Sequence, residues 1–112
     1  MEPSKDKIDI LISLFNQGEM VRLEVESIQL LNVYKDSILI LNLLGGSLIK
    51  QQKYIDSTEV FKKIIKLNNN DIHAHINCGA SLNALEDTKE ALNYYDKALK
   101  IDNTNPDAHY NR

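Results

Sequence analysis

Apolar residues recur along this chain at intervals of three and four, and no stretch sustains the period-two alternation of a half-buried strand. Ile72, Ile76, Gly79, Ala80, Leu82, Ala84 and Leu85 form one stripe at helical spacing. Glu86-Asp87-Thr88 interrupts it, and Ala91, Leu92, Tyr94, Tyr95, Ala98, Leu99 and Ile101 resume it. Two such stripes around a short polar break predict a helical hairpin. No Asn-Gly or Asp-Gly pair supplies a strand-hairpin turn. The pattern predicts an all-α protein with helices over 5–17, 19–34, 38–51, 54–67, 72–85 and 88–101, and a short seventh from 106.

The hairpin repeats. Gly45 and Gly79 are 34 residues apart, and the same offset carries Leu48 to Leu82, Phe61 to Tyr95, Leu67 to Ile101 and Asn69 to Asn103. It also carries Leu41 to His75, His75 to His109, Ala74 to Ala108 and Asn77 to Asn111. One period earlier the match weakens, with Ile10, Leu14, Leu23 and Leu30 opposite Leu44, Leu48, Ser57 and Ile64. A fixed period of this length marks stacked supersecondary units. The chain divides into units over 4–37, 38–71 and 72–105, followed by a partial capping helix over 106–112, all within one domain spanning 1–112. Ser37 and Asp71 stand at equivalent helix starts as N-cap residues, Asp87 with Glu90 forms a capping arrangement, and Asn105-Pro106 opens the last helix. Short polar links such as Asn68-Asn69-Asn70 make successive helices antiparallel neighbours.

Composition narrows the function. At 112 residues and 43% hydrophobic, the chain can bury a core. A net charge of −3 leaves no basic footprint for nucleic acid. Cys78 is the one cysteine, so neither an internal disulfide nor a cysteine-based metal framework can form, and a reducing, cytoplasmic setting is expected. The N-terminus lacks the pattern of a secretory signal, and the apolar run 38–49 is too short to span a bilayer, so no membrane partner is expected. The Asn-, Ile- and Lys-rich composition points to a bacterial source.

Candidate chemistry is sparse. His73 and His75 point in different directions on a helix, and His75 with Cys78 gives too few ligands for a metal. Gly45-Gly46 lacks the Gly-Lys-Ser/Thr of a phosphate loop and lies inside a helical pattern; Gly45 serves close packing, while Gly46 leaves room for a ligand or only for a neighbour. Asp56 with Glu59, and Asp87 with Glu90, are carboxylates paired by helix position, and Lys62, Lys63 and Lys66 form a small basic face. No cofactor, metal site or catalytic constellation is expected, and the chain reads as a non-enzyme.

The residues resemble the tetratricopeptide-repeat (TPR) family. Gly79 stands at the close approach of two helices, Leu82 at the following large position, Ala91 and Ala98 at the small positions of the second helix and Tyr95 at its aromatic one. Gly45, Leu48, Ser57 and Phe61 repeat this, with Ile64 in place of the second alanine. In the first unit Leu11 and Leu23 replace small residues, which predicts a more widely spaced pair. Lys7, Leu41 and His75 stand where the family has tryptophan, and Lys35, Asn69 and Asn103 where it has proline.

The resemblance implies a right-handed α-solenoid whose concave groove, lined by the first helix of each unit, binds a peptide or partner protein. Placed on that groove are Ile8, Ile12, Phe15 and Asn16, then Leu39, Asn42, Gly46, Ile49 and Lys50, then His73, Ile76, Asn77, Ala80, Asn83 and Ala84. Where chaperone-tail binders of the family clamp a terminal carboxylate, this chain has Ile8, Ile12, Leu43, His73 and Asn77. Asn77 and Asn111 instead match the asparagines that hold a peptide backbone in the O-GlcNAc transferases. The leading groove candidates are Asn42, Ile49, His73, Ile76, Asn77, Ala80, Asn83 and Asn111. The alternative is the N-terminal segment of a larger enzyme, such as a glycosyltransferase or sulfotransferase, recruiting its substrate. The short last helix is expected to leave Tyr95, Ala98 and Leu99 incompletely covered, giving a weak homodimer or a frayed end.

Overall fold

The computed structural model describes residues 2–111, with side chains described through His109. It holds seven helices: α1 Lys5–Asn16, α2 Met20–Leu31, α3 Ile38–Lys50, α4 Tyr54–Leu67, α5 Ile72–Ala84, α6 Thr88–Ile101 and α7 Pro106–Asn111. No strand occurs among the described residues. The boundaries fall within three residues of those expected. α2 shows the largest difference because Asn32 and Val33 donate to Gln29 and Leu30, three residues back, which ends the α-helical ladder early.

Caps fix these ends. The Ser37 hydroxyl accepts from Ile40 N–H at 3.2 Å, Asp71 from Ala74 N–H at 3.1 Å and Asp87 from Glu90 N–H at 3.3 Å. Asn105 accepts from both Asp107 and Ala108 N–H groups. The first helix of every pair closes on a left-handed residue, Gly18 (φ 77°), Gln52 (φ 62°) or Glu86 (φ 66°). The next N–H reaches back five residues, from Glu19 to Leu14, Lys53 to Leu48 and Asp87 to Leu82. This double closure is the Schellman motif, repeated at the 34-residue period.

Successive helices pack as neighbours, and α1 also touches α3 while α5 touches α7. Two clusters make the core: one joins Leu11, Leu14 and Leu23 to Ile40, and the other runs from Leu41 through Phe61, Ile64, Leu82 and Tyr95 to Ala108. α3 therefore contributes adjacent residues to both. Phe61 and Tyr95 are 1% exposed, and burying each ring stabilises the fold by roughly 1.5–3 kcal/mol. Each ring lies against the glycine of its own unit, Gly45 or Gly79. In the first unit the same two positions hold Leu11 and Ser27, so the large and small residues have changed places. Both are buried, and α1 meets α2 less extensively than α3 meets α4 or α5 meets α6.

The C-terminal edge differs from the sequence expectation. Tyr95 (1%) and Ala98 (0%) are covered, and only Leu99 stays partly exposed. α7 touches both α5 and α6, with Ala108 fully buried in the core cluster. A methyl-sized side chain lets the short helix approach closely, so close fit rather than apolar area covers the edge.

Candidate concave groove

The groove candidates come from the first helix of each pair. Ile12 (42% exposed) and Leu39 (51%) present aliphatic surface to solvent, while Ile8 and Leu43 are half-buried against the cluster of Leu11 and Ile40, and Ile49 against the other. Asn42, Asn77 and Ala80 are half-buried, and His73 is exposed. Among the described residues the Asn42 and Asn77 side chains make no hydrogen bond, so their amide donors and acceptors are unspent.

The remaining candidates stand differently. Ile76 is 7% exposed and belongs to the core, because α5 is flanked on both sides by helices and its apolar face wraps further round than the period implies. Asn83 is exposed but donates to the Tyr95 hydroxyl at 3.4 Å, turning toward α6. The side chain of Asn111 lies outside the described residues. Gly46 does not open a ligand space: a Cβ there would meet the Phe15 ring at 3.3 Å, so α1 occupies the room. The residues placed on the groove include one lysine, Lys50, which is exposed, and no carboxylate.

His75, His109 and Cys78 have structural work. His75 is buried, and its Nε2 lies 2.9 Å from the Asn69 carbonyl oxygen; a carbonyl only accepts, so Nε2 carries the proton and donates. His109 repeats this contact with the Asn103 carbonyl, one period later. The histidine thus ties the preceding loop to its helix. No group of three or more potential metal ligands occurs among the described residues. Cys78 is fully buried, and burial pushes its thiol up to about 11, the wrong direction for a nucleophile. No helix among the described residues is long and apolar enough to cross a membrane.

Sequence reasoning missed three periodic features that the 34-residue offset could have exposed. Ser13, Ser47 and Ser81 are equivalent, and Ser81 joins Ser57 by a buried 2.7 Å hydrogen bond between α5 and α4. The left-handed residues at 18, 52 and 86 are equivalent, and so are the two histidine–loop contacts.

Residues 79–112 match the sequence profile of the family described as TPR repeat. No curated protein matches the sequence. Among solved structures, the chain is similar to the second TPR domain of human RPAP3 in complex with HSP70 peptide SGPTIEEVD. The TM-score is 0.88 at 18% identity, over 94% of this chain and 88% of that one. It is also similar to the first TPR of Spaghetti (RPAP3) bound to HSP90 peptide SRMEEVD, with TM-score 0.86 at 17% identity over 98% and 90% of the two chains. MamA from Desulfovibrio magneticus RS-1 gives TM-score 0.86 at 18% identity over 92% of this chain; the chain spans 58% of that MamA structure.

Proposed function

Because the chain is a domain of the tetratricopeptide-repeat fold, we propose that residues 1–112 act as one protein-interaction scaffold that holds a peptide segment in the groove lined by α1, α3, α5 and α7. It is a binding module, not an enzyme. One observation carries the reading: exposed Ile12 and Leu39 lie on the groove helices with the unspent amides of Asn42 and Asn77. Amides that donate and accept suit a peptide backbone, and aliphatic surface suits its apolar side chains. Two of the similar domains carry peptides ending in Glu-Glu-Val-Asp. Here Ile8, Ile12, Leu43, His73 and Asn77 offer no lysine or arginine to such an end, so the favoured ligand is a neutral, apolar, internal segment.

A peptide partner recovered from the native source would test this. Asn77→Ala should weaken its binding by about 1 kcal/mol, with Asn42→Ala similar, while the melting temperature holds. Equal affinity of parent and variants would remove the groove amides from the mechanism.

Recruitment of a substrate to a glycosyltransferase or sulfotransferase would use the same groove, and a catalytic domain in the same polypeptide would establish it. A weak homodimer through the C-terminal end would have Leu99 and Ile101 to bury, since Tyr95 and Ala98 are already covered. Sedimentation over a wide concentration range tests it. The buried, unpaired Cys78 supports a cytoplasmic setting, and the composition a bacterial one.

A further inference from the structure

A second surface lies away from the groove, where the end of each second helix meets the loop that opens its own unit. In the third unit a cleft of about 710 Å³ is lined by Asn69, Asn70, His75, Lys97, Lys100 and Ile101. In the second unit a cleft of about 570 Å³ includes Asp36, Lys63, Lys66 and Leu67. Asp36 and Asn70, Lys63 and Lys97, Lys66 and Lys100, and Leu67 and Ile101 are each one 34-residue period apart. The two clefts are therefore copies of one construction: a loop residue, two lysines one turn apart, and an aliphatic side chain about 40% exposed.

The charge balance at these clefts opposes that of the chain, which is −3 overall. The third-unit cleft has two lysines and no carboxylate in its lining. Lys66 and Lys100 stand in the last turn of their helices, where each offsets the helix dipole, but neither has a carboxylate partner among the described residues. Lys97 lies over the Tyr94 ring at 5.0 Å, and Lys63 donates to the Lys35 carbonyl at 2.9 Å. Neither role neutralises the ammonium charge. The first unit has Gln29, Asn32 and Val33 at the equivalent places, so the basic row covers the second and third units only.

We propose that this loop edge binds an acidic segment of a partner protein. Its carboxylates meet Lys97 and Lys100 and then Lys63 and Lys66, and its apolar side chains rest on Ile101 and Leu67. Asp36 and Glu59 line the second-unit cleft and oppose any anion there, so the carboxylate-free third-unit cleft is the stronger half of the site. One feature selects a protein over a nucleic acid. The aliphatic residue in each cleft has a counterpart on a mixed acidic–apolar peptide and none on a phosphate chain. The surface is separate from the groove, so one partner could use both or two partners could bind at once.

The test uses the whole chain and a fluorescent Glu-Glu-Leu repeat peptide, with a Gln-Gln-Leu analogue and a single-stranded RNA as further probes. The Glu peptide should bind weakly and lose affinity as salt rises, while the Gln analogue should not bind. Lys97→Glu with Lys100→Glu should cost at least about fivefold in affinity, as expected from replacing several exposed ion pairs by repulsion. The milder Lys97→Gln with Lys100→Gln should show a smaller loss of affinity with only a small shift of the melting curve, still cooperative, which separates binding from folding. Asn77→Ala should leave this affinity unchanged, so the outcome is independent of the groove reading. Failure of the Glu peptide to bind, equal binding of the Gln analogue, or equal affinity of the charge-reversed variant would overturn the proposal. Tighter, lysine-dependent binding of the RNA would overturn the choice of an acidic protein.

Discussion

A Cβ atom on Gly79 would stand 2.8 Å from the Tyr95 ring, closer than side chains approach one another in a packed core. The ring is 1% exposed and packed in the core cluster, so it yields only at the expense of its neighbours. Gly79→Ala should therefore destabilise the domain by roughly 1–3 kcal/mol, and Gly79→Leu by more, because the hairpin must open to admit the new atoms. Chemical denaturation of both variants checks this, and melting like the parent would contradict the close approach.

Gly18 takes its left-handed conformation freely, whereas Gln52 and Glu86 take it with a side chain attached. Glu86→Gly should stabilise the chain, by up to about 1 kcal/mol, by relieving that strain in a Schellman turn. Gly18→Ala should have the opposite sign, although no atom lies near enough to clash with its Cβ. Thermal melts of the two variants should move in opposite directions.

The Ser27 hydroxyl is buried without a hydrogen-bond partner. Ser27→Ala removes an unsatisfied polar group at little loss of packing, so stability should rise by about 0.5–1 kcal/mol. A lower melting temperature would mean that a bound water serves this hydroxyl.

Glu24 accepts from Lys53 and from Gln51, both at 2.9 Å, and so ties α2 to the turn between α3 and α4. Burial alone would raise its carboxyl, but the hydrogen bonds from Lys53 and Gln51 and the charge of Lys53 outweigh that and hold it below the usual carboxylate range. A depressed folded-state value means that this stability is present above the unfolded value and is lost as pH falls through the folded one. Glu24→Gln should flatten the fall in melting temperature over the acid range, by less than about 1 kcal/mol since Lys53 is partly exposed. An unchanged pH profile would remove the bridge from the acid response.

The sequence alone determined the seven helices, their caps at Ser37, Asp71, Asp87 and Asn105, and the period that makes Gly79 equivalent to Gly45 and Tyr95 to Phe61. These are local or periodic properties: helical spacing, capping chemistry and a fixed offset are written into consecutive residues. Tertiary structure decided which helix covers each face. It buried Ile76, set Phe15 over Gly46, turned Asn83 toward Tyr95 and closed the C-terminal edge with Ala108. Each of these depends on contacts between helices, and a period fixes where a side chain points along its own helix but not how near the next helix comes. The basic row at the loop edge shows the same division. The offset between Lys66 and Lys100 can be read from the sequence, but only packing joins the end of each second helix to its own opening loop and makes a cleft of them.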